Sequence, residues 1–194
     1  MTTMTNNMIE PVFTSFSVIL LAVVFFAAGA AKIKATDTLE GVIGNFRLLP
    51  KSLVRPVALV LPPVEIAVAA ALLLPATRVF GAVGAAALLL VFTIAISINL
   101  ARGRREIDCG CFSSELKQNL SAWMVVRNLV LTACALWLVA SAAGAYATIA
   151  SPSWAAWLLG ALGAGFAIVI YVTSATLLAI ATLVAERRAS TGNG

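Results

Sequence analysis

The chain has 194 residues, of which 61% are hydrophobic and 11% are charged, and its mean hydropathy is +1.02. So few charges cannot coat a water-soluble domain of this size, whereas a lipid-exposed surface does not need them. The net charge of +5 does not indicate a nucleic-acid partner, because the basic residues lie at the ends of apolar runs. The absence of histidine excludes His-ligated zinc and haem, and three cysteines are too few for an all-cysteine zinc site, so no metal site is predicted.

Five long apolar runs predict an all-α, polytopic transmembrane bundle in which residues 1–194 form a single membrane domain. Each run approaches or exceeds the ~20 residues that cross ~30 Å of hydrocarbon. The first ten residues contain no Lys or Arg, so we expect the first run to remain as a span and not to act as a signal peptide. Ser151 and Pro152 are typical of a helix start and separate the last two runs. The predicted spans are 11–31, 57–74, 79–100, 121–146 and 154–184, with a polar connection at 101–120.

Two features modify this helical pattern. Residues 38–46 are predicted to form a short amphipathic helix at the membrane interface, ended by Pro50, and Pro62 with Pro63 should kink the second span. Small residues four positions apart predict close helix packing. These pairs are Gly81 with Ala85, Gly160 with Ala164, and Ala161 with Gly165.

The distribution of basic residues predicts the orientation of the chain. The first and third connections and the C-terminal tail carry eleven Lys and Arg residues, and the other side carries only Arg78. Since basic residues are retained in the cytoplasm, the N-terminus should be periplasmic and the C-terminus cytoplasmic in the bacterial inner membrane. The connection that contains Cys109 should then start at the cytoplasmic face.

The residues most suited to chemistry are Cys109 and Cys111, which are separated by Gly110 in the polar connection. Two thiols one residue apart can close a small, strained ring, and strained disulfides exchange readily. Three nearby arginines and the start of the fourth span favour a thiolate, while Asp108 opposes it or accepts a proton. Thiol–disulfide chemistry is the preferred interpretation, and a soft-metal site for Cu(I) or an incidental pair are the alternatives.

Ionisable residues inside the spans are the second group of candidates. Glu65 and Arg127 are expensive in lipid and should face the bundle interior, where an ion pair between them, supported by Asn128, is geometrically reasonable. That pair would either lock the helices together or tune the thiols. Lys32 is interpreted as an end residue that reaches the interface, and Cys134 as a small apolar packing residue.

The order and spacing of several short motifs resemble the MauE/DoxX-like family of membrane proteins. The similarity covers residues 18–139, which correspond to a four-helix family core, and leaves the fifth span outside. Its most specific part is the run Asp108, Cys109, Gly110, Cys111 and Phe112 followed by Arg127 and Asn128. The other matching motifs are Gly-Ala-Ala-Lys at 29–32, Phe-Arg-Leu-Leu-Pro at 46–50, Leu-Pro-Pro-Val-Glu at 61–65, Asn-Leu-Ala-Arg-Gly-Arg at 99–104 and Leu-Ser-Ala-Trp at 120–123.

The resemblance implies a role in maturing the small subunit of methylamine dehydrogenase, through processing, transport or disulfide formation, beside a thioredoxin-like partner, MauD. A non-enzymatic docking factor and a soft-metal carrier are the alternatives. The implied client is periplasmic, yet the charge bias places the thiols on the cytoplasmic side. A relay of electrons across the bilayer, a connection folded into the bundle, or the reverse topology would each resolve this conflict. No cofactor is predicted, since no motif marks one, and a quinone is not excluded.

Overall fold

The structure is a computed structural model that describes residues 2–103, 122–143 and 153–191. The described residues form helices and contain no strand, which confirms the predicted all-α class. The helices are α1 (Thr2–Lys34), α2 (Thr36–Phe46), α3 (Lys51–Leu73), α4 (Arg78–Ala101), α5 (Ala122–Ala143) and α6 (Trp154–Thr191).

Five helices in the described part of the chain are long and apolar enough to cross a bilayer, with mean hydropathies from 1.7 to 2.6. Their outer surfaces carry large apolar side chains: Phe80 is 77% exposed and Phe166 is 69% exposed. Such surfaces are unfavourable in water and favourable in lipid. The polytopic prediction is therefore confirmed, with spans at Glu10–Lys34, Lys51–Leu73, Arg78–Ala101, Ala122–Ala142 and Trp154–Ser174.

Helix α2 is the amphipathic element predicted between the first two spans. Leu39 and Val42 are buried against the bundle while Asp37 is exposed, and α2 packs on α3. The helix ends at Phe46, and its C-cap residue, Arg47, adopts a left-handed conformation (φ 49°). Pro50 is the N-cap of α3, so α3 starts at Lys51, six residues before the predicted start of the span. The first turn of α3 is polar, so a hydropathy pattern does not show where the helix starts. The start is set locally by Pro50, whose extended backbone precedes the first helical residue.

Helix α1 occupies the centre of the bundle. It packs against α3, α5 and α6, while α4 packs against α3 and most extensively against α5. The core between them is built from completely buried apolar side chains, including Val18, Leu21, Leu72 and Ala135. Cys134 is 6% exposed within this same core, in agreement with a packing role.

Two glycines set the closest helix contacts. A Cβ at Gly81 would lie 2.7 Å from the Leu72 backbone nitrogen, and one at Gly160 would lie 2.7 Å from the Phe16 nitrogen. Glycine at these positions lets α4 approach α3 and lets α6 approach α1, as the small-residue pattern predicts. The second predicted face of α6 is different: Ala161 and Gly165 are exposed, and a Cβ at Gly165 would meet no atom within 4 Å.

Candidate functional site

The strongest polar feature within the spans is an ion pair between α1 and α3. Lys32 Nζ donates to Glu65 Oε1 at 2.5 Å, and the two side chains are 6% and 1% exposed. Gly29 makes this contact possible one turn earlier, because a Cβ there would lie 2.8 Å from the Ile66 side chain and 3.0 Å from the Pro62 carbonyl oxygen. The close approach of the two backbones brings Lys32 and Glu65 together.

This pairing corrects two sequence predictions. Glu65 faces the bundle interior as expected, but the salt bridge that it forms within the described residues is with Lys32, whereas the sequence had suggested Arg127. Lys32 does not extend toward an interface, since it is buried and its ammonium lies 5.4 Å from the centroid of the Phe92 ring. The reason is energetic: a carboxylate in an apolar interior needs an opposite charge, and the last turn of α1 supplies one at the same depth.

Arg127 belongs to a separate polar cluster that links α5 to α6. Its Nη1 donates to the hydroxyl oxygen of Tyr171 at 2.5 Å, and its guanidinium carbon lies 5.3 Å from the centre of that ring. Its Nε and Nη2 donate to Asn128 Oδ1 at 3.3 and 3.1 Å. Asn128 is 2% exposed and lies beside Arg127. The contact of Arg127 with Tyr171 was not anticipated from the sequence.

An apolar cavity of about 350 Å³ lies beside the ion pair. It is lined by the end of α1, by α2, and by the facing parts of α3 and α4. Lys32 is the one charged residue among those that line it. The representative apolar lining residues are Leu39, Phe46, Leu61, Phe92 and Ala95.

The predicted redox pair belongs to the polar connection between α4 and α5. Asp108, Cys109, Gly110, Cys111 and Phe112 lie outside the described residues. Helix α4 ends at Ala101, the chain is described up to Gly103, and α5 begins at Ala122. Those two helix ends are neighbours, because Ile96 of α4 and Met124 of α5 pack in one buried cluster. The described residues contain no group of three or more Cys, Asp or Glu side chains arranged to hold a metal ion.

Sequence reasoning missed two buried polar residues, Lys32 and Asn99, and the half-buried Tyr171. Asn99 is fully buried and donates from Nδ2 to the Ala95 carbonyl oxygen at 3.0 Å. A signal for Lys32 was present, since Lys32 follows Gly29 by three residues and therefore shares its helix face. No comparable pattern marks Tyr171, because its contact joins residues 44 positions apart.

Comparison with known proteins agrees with the resemblance seen in the motifs. The family model described as "Methylamine utilisation protein MauE" matches residues 10–141. A MauE from Paracoccus denitrificans is 45% identical over 174 residues, covering 90% of this chain and 91% of the relative. MauE from Methylorubrum extorquens is 46% identical over 142 residues, covering 71% and 76%, and that from Methylophilus methylotrophus is 39% identical over 132 residues, covering 68% and 70%.

No solved structure matches the chain significantly. The sequence matches nevertheless extend through the motifs that carry the resemblance, including the Cys-Gly-Cys connection, the Gly29–Lys32 face of α1 and the Glu65 region of α3. The family match and the relatives cover most of the chain and share one description. This chain therefore belongs to the MauE family of methylamine utilisation proteins.

Proposed function

We propose that the protein is an inner-membrane accessory factor for maturation of the methylamine dehydrogenase small subunit, acting by thiol–disulfide exchange at Cys109 and Cys111. A thioredoxin-like MauD and the small subunit are the proposed partners. Membership of a methylamine utilisation family together with a Cys-Gly-Cys pair in its polar connection carries this proposal. The N-terminus is proposed to be periplasmic and the C-terminus cytoplasmic.

The ends of the connection support a reactive role for the thiols. Residues 104–121 run between the adjacent ends of α4 and α5, so both attachments lie at one end of the bundle. Helix α5 begins where the connection rejoins the bundle, and the amide groups of its first turn carry partial positive charge. Arg127 follows five residues later with its guanidinium fixed by Tyr171 and Asn128. Positive potential at this end favours the thiolate over the thiol.

The proposed step is a two-stage exchange. A thiolate of one cysteine attacks a partner disulfide, forming a mixed disulfide and releasing the partner's second sulfur as a thiolate. The other cysteine then attacks the mixed disulfide, which closes the Cys109–Cys111 bond and releases the partner as a dithiol. The reverse sequence introduces a disulfide into a client. Gly110 between the cysteines permits the backbone angles that such a small ring requires.

Replacement of both cysteines tests this proposal. We expect the Cys109→Ser/Cys111→Ser variant to abolish formation of active methylamine dehydrogenase, and either single variant to trap a mixed disulfide with its partner. Dehydrogenase activity in cell extracts and non-reducing gels are the measurements. Cys134→Ala is the matched control, because that thiol is buried in the core and should be dispensable. Full dehydrogenase maturation in the double variant would rule out thiol exchange.

A docking factor without redox activity is the second candidate, and the surface of α2 favours it. Asp37 and Glu40 of α2 face Lys51 of α3 across a shallow groove. Such a charged surface can hold a partner without chemistry. In that case the cysteine double variant remains functional, whereas Asp37→Lys combined with Glu40→Lys abolishes maturation.

A further inference from the structure

The cavity beside Lys32 has the composition of a site for a lipophilic ring. Its volume of about 350 Å³ falls within the range of roughly 300–1,000 Å³ that is typical of small-molecule sites. Apart from Lys32, its lining residues are apolar, and Phe46 and Phe92 offer aromatic surfaces. Val91 and Ile94 also line it and are 60% and 57% exposed on the outer surface of α4. The cavity therefore opens toward the lipid.

Lys32 supplies the single ionic feature of the wall. An ammonium group has three donors, and Lys32 gives one of them to Glu65. Within the described part of the chain, no second hydrogen-bond acceptor contacts Nζ. A buried donor without an acceptor is costly, so a ligand oxygen in the cavity would stabilise the site.

The charge balance selects the kind of ligand oxygen. Glu65 already neutralises Lys32 in the buried pair, so an anionic headgroup would add an uncompensated negative charge to an apolar interior. A neutral carbonyl oxygen accepts a hydrogen bond without that cost. We propose that this cavity binds the ring of a lipid-soluble quinone, with one carbonyl oxygen accepting a hydrogen bond from Lys32 and the isoprenoid tail extending into the bilayer.

The location of the cavity suggests that the bound quinone accepts electrons from the thiols. This electron-transfer role rests on the proposed thiol exchange. Ile96 lines the cavity and also packs against Met124, so the cavity lies near the end of the bundle where the connection is attached. The reduced Cys109 and Cys111 would transfer two electrons and two protons to the quinone, forming the S–S bond and a hydroquinone. The reoxidised pair could then form a disulfide in a client.

Binding of a decyl-tailed benzoquinone to the purified full chain in nanodiscs, measured by equilibrium dialysis, tests the site. Ala95→Phe fills the cavity while leaving both charges of the ion pair in place, and it should weaken binding at least tenfold. Ala87→Phe makes the same change on the exposed surface of α4 and should not alter the affinity. Lys32→Met with Glu65→Gln removes both charges together, so that neither is left buried alone, and should weaken binding about tenfold through loss of one charge-assisted hydrogen bond.

Two further measurements distinguish the alternatives. Decylbenzene has the same tail and no carbonyl groups; if it binds as tightly as the quinone, the cavity is a general lipid groove and the proposal is wrong. Equal affinity of the quinone for the Ala95→Phe and Ala87→Phe variants would also overturn it. The Cys109→Ser/Cys111→Ser variant should bind the quinone unchanged but no longer reduce it. Unchanged binding without reduction by the intact, prereduced protein would reject the thiol coupling and retain the binding site.

Discussion

At the scale of single residues, the Lys32–Glu65 pair joins α1 to α3 through two charges, each of which would be costly to bury in the membrane without the other. Each charge is buried, and the pair is held where Gly29 lets α1 approach α3. Burying an ion pair yields little net stability, since desolvation offsets most of the attraction. Removing one partner is much more damaging, because the other charge is left without compensation. The pair therefore contributes more to specifying which faces of α1 and α3 pack together than to the net stability of the bundle.

The first prediction at this scale concerns Glu65. We expect Glu65→Gln to destabilise the bundle by about 3–5 kcal/mol, because the Lys32 ammonium stays buried without a counter-charge. The double variant Lys32→Met/Glu65→Gln should be clearly more stable than the single variant. Thermal unfolding in nanodiscs, arranged as a double-mutant cycle, measures the coupling.

A surface carboxylate provides the control for that cycle. Asp37 of α2 is exposed, so Asp37→Asn should change the unfolding temperature little. Equal destabilisation by the single Glu65 variant and the double variant would contradict electrostatic coupling between Lys32 and Glu65.

The sequence could identify the buried charged residues but not all of their partners. Glu65 and Arg127 stand out because they interrupt apolar runs, and both prove to be at least partly buried. Apolar runs indicate depth in the membrane, whereas pairing depends on the direction in which each helix face points. Lys32 lay at the edge of the first run and was therefore assigned to the interface. The contact between Arg127 and Tyr171 could not be predicted, because it depends on how α6 packs against α5 and the charge pattern carries no information about that packing.

At the scale of helices, small residues determine which surfaces pack inside the chain. Helix α6 carries two small-residue faces, and only the face with Gly160 and Ala164 is buried, against α1. The sequence predicts both faces equally, because the spacing of Ala161 and Gly165 is identical. Tertiary packing chooses between them through the shape of the facing helix. The start of α3 is a similar case, since polar residues hide a helix that Pro50 initiates.

The contact at Gly160 gives a prediction for helix packing. Gly160→Val should destabilise the bundle by about 1–3 kcal/mol, because its Cβ would collide with the α1 backbone at Phe16 and the two helices must separate. Thermal unfolding in nanodiscs measures the loss.

Gly165→Val is the matched control, since it makes the same substitution on the same helix where the added atoms meet open space. We expect it to leave the unfolding temperature almost unchanged. Similar losses in the two variants would show that the change in helix propensity, and not the α1 contact, is responsible.

At the scale of the whole molecule, the bundle has one end rich in basic residues. That end contains the end of α1, helix α2, the start of α3 and the end of α4. At the opposite end, where α3 turns into α4, the basic residue is Arg78, the first residue of α4. Composition and charge were sufficient to predict the five apolar helices and their all-α fold, because these depend on sums over many residues. The arrangement around α1 depends on individual contacts and could not be predicted.

Orientation gives the prediction at this scale. In a variant without native cysteines, Ala76→Cys in the α3–α4 turn should react with a membrane-impermeant maleimide added to spheroplasts, whereas Leu48→Cys after α2 should react only after permeabilisation. Both positions are exposed, so accessibility depends on the side of the membrane. The opposite labelling pattern would reverse the topology and place the Cys-Gly-Cys connection in the periplasm.

The ion pair also has a consequence for biosynthesis. Lys32 and Glu65 are 33 positions apart in the chain, so at ~5–20 residues per second the lysine is synthesised roughly 2–7 seconds before its partner. During that interval α1 carries an uncompensated cation in its last turn, which favours keeping that turn near the aqueous boundary. Emergence of α3 then supplies the carboxylate that permits full burial. We therefore expect insertion of the first helix to be completed only once the second span has emerged, so that the order of synthesis takes part in the assembly of this bundle.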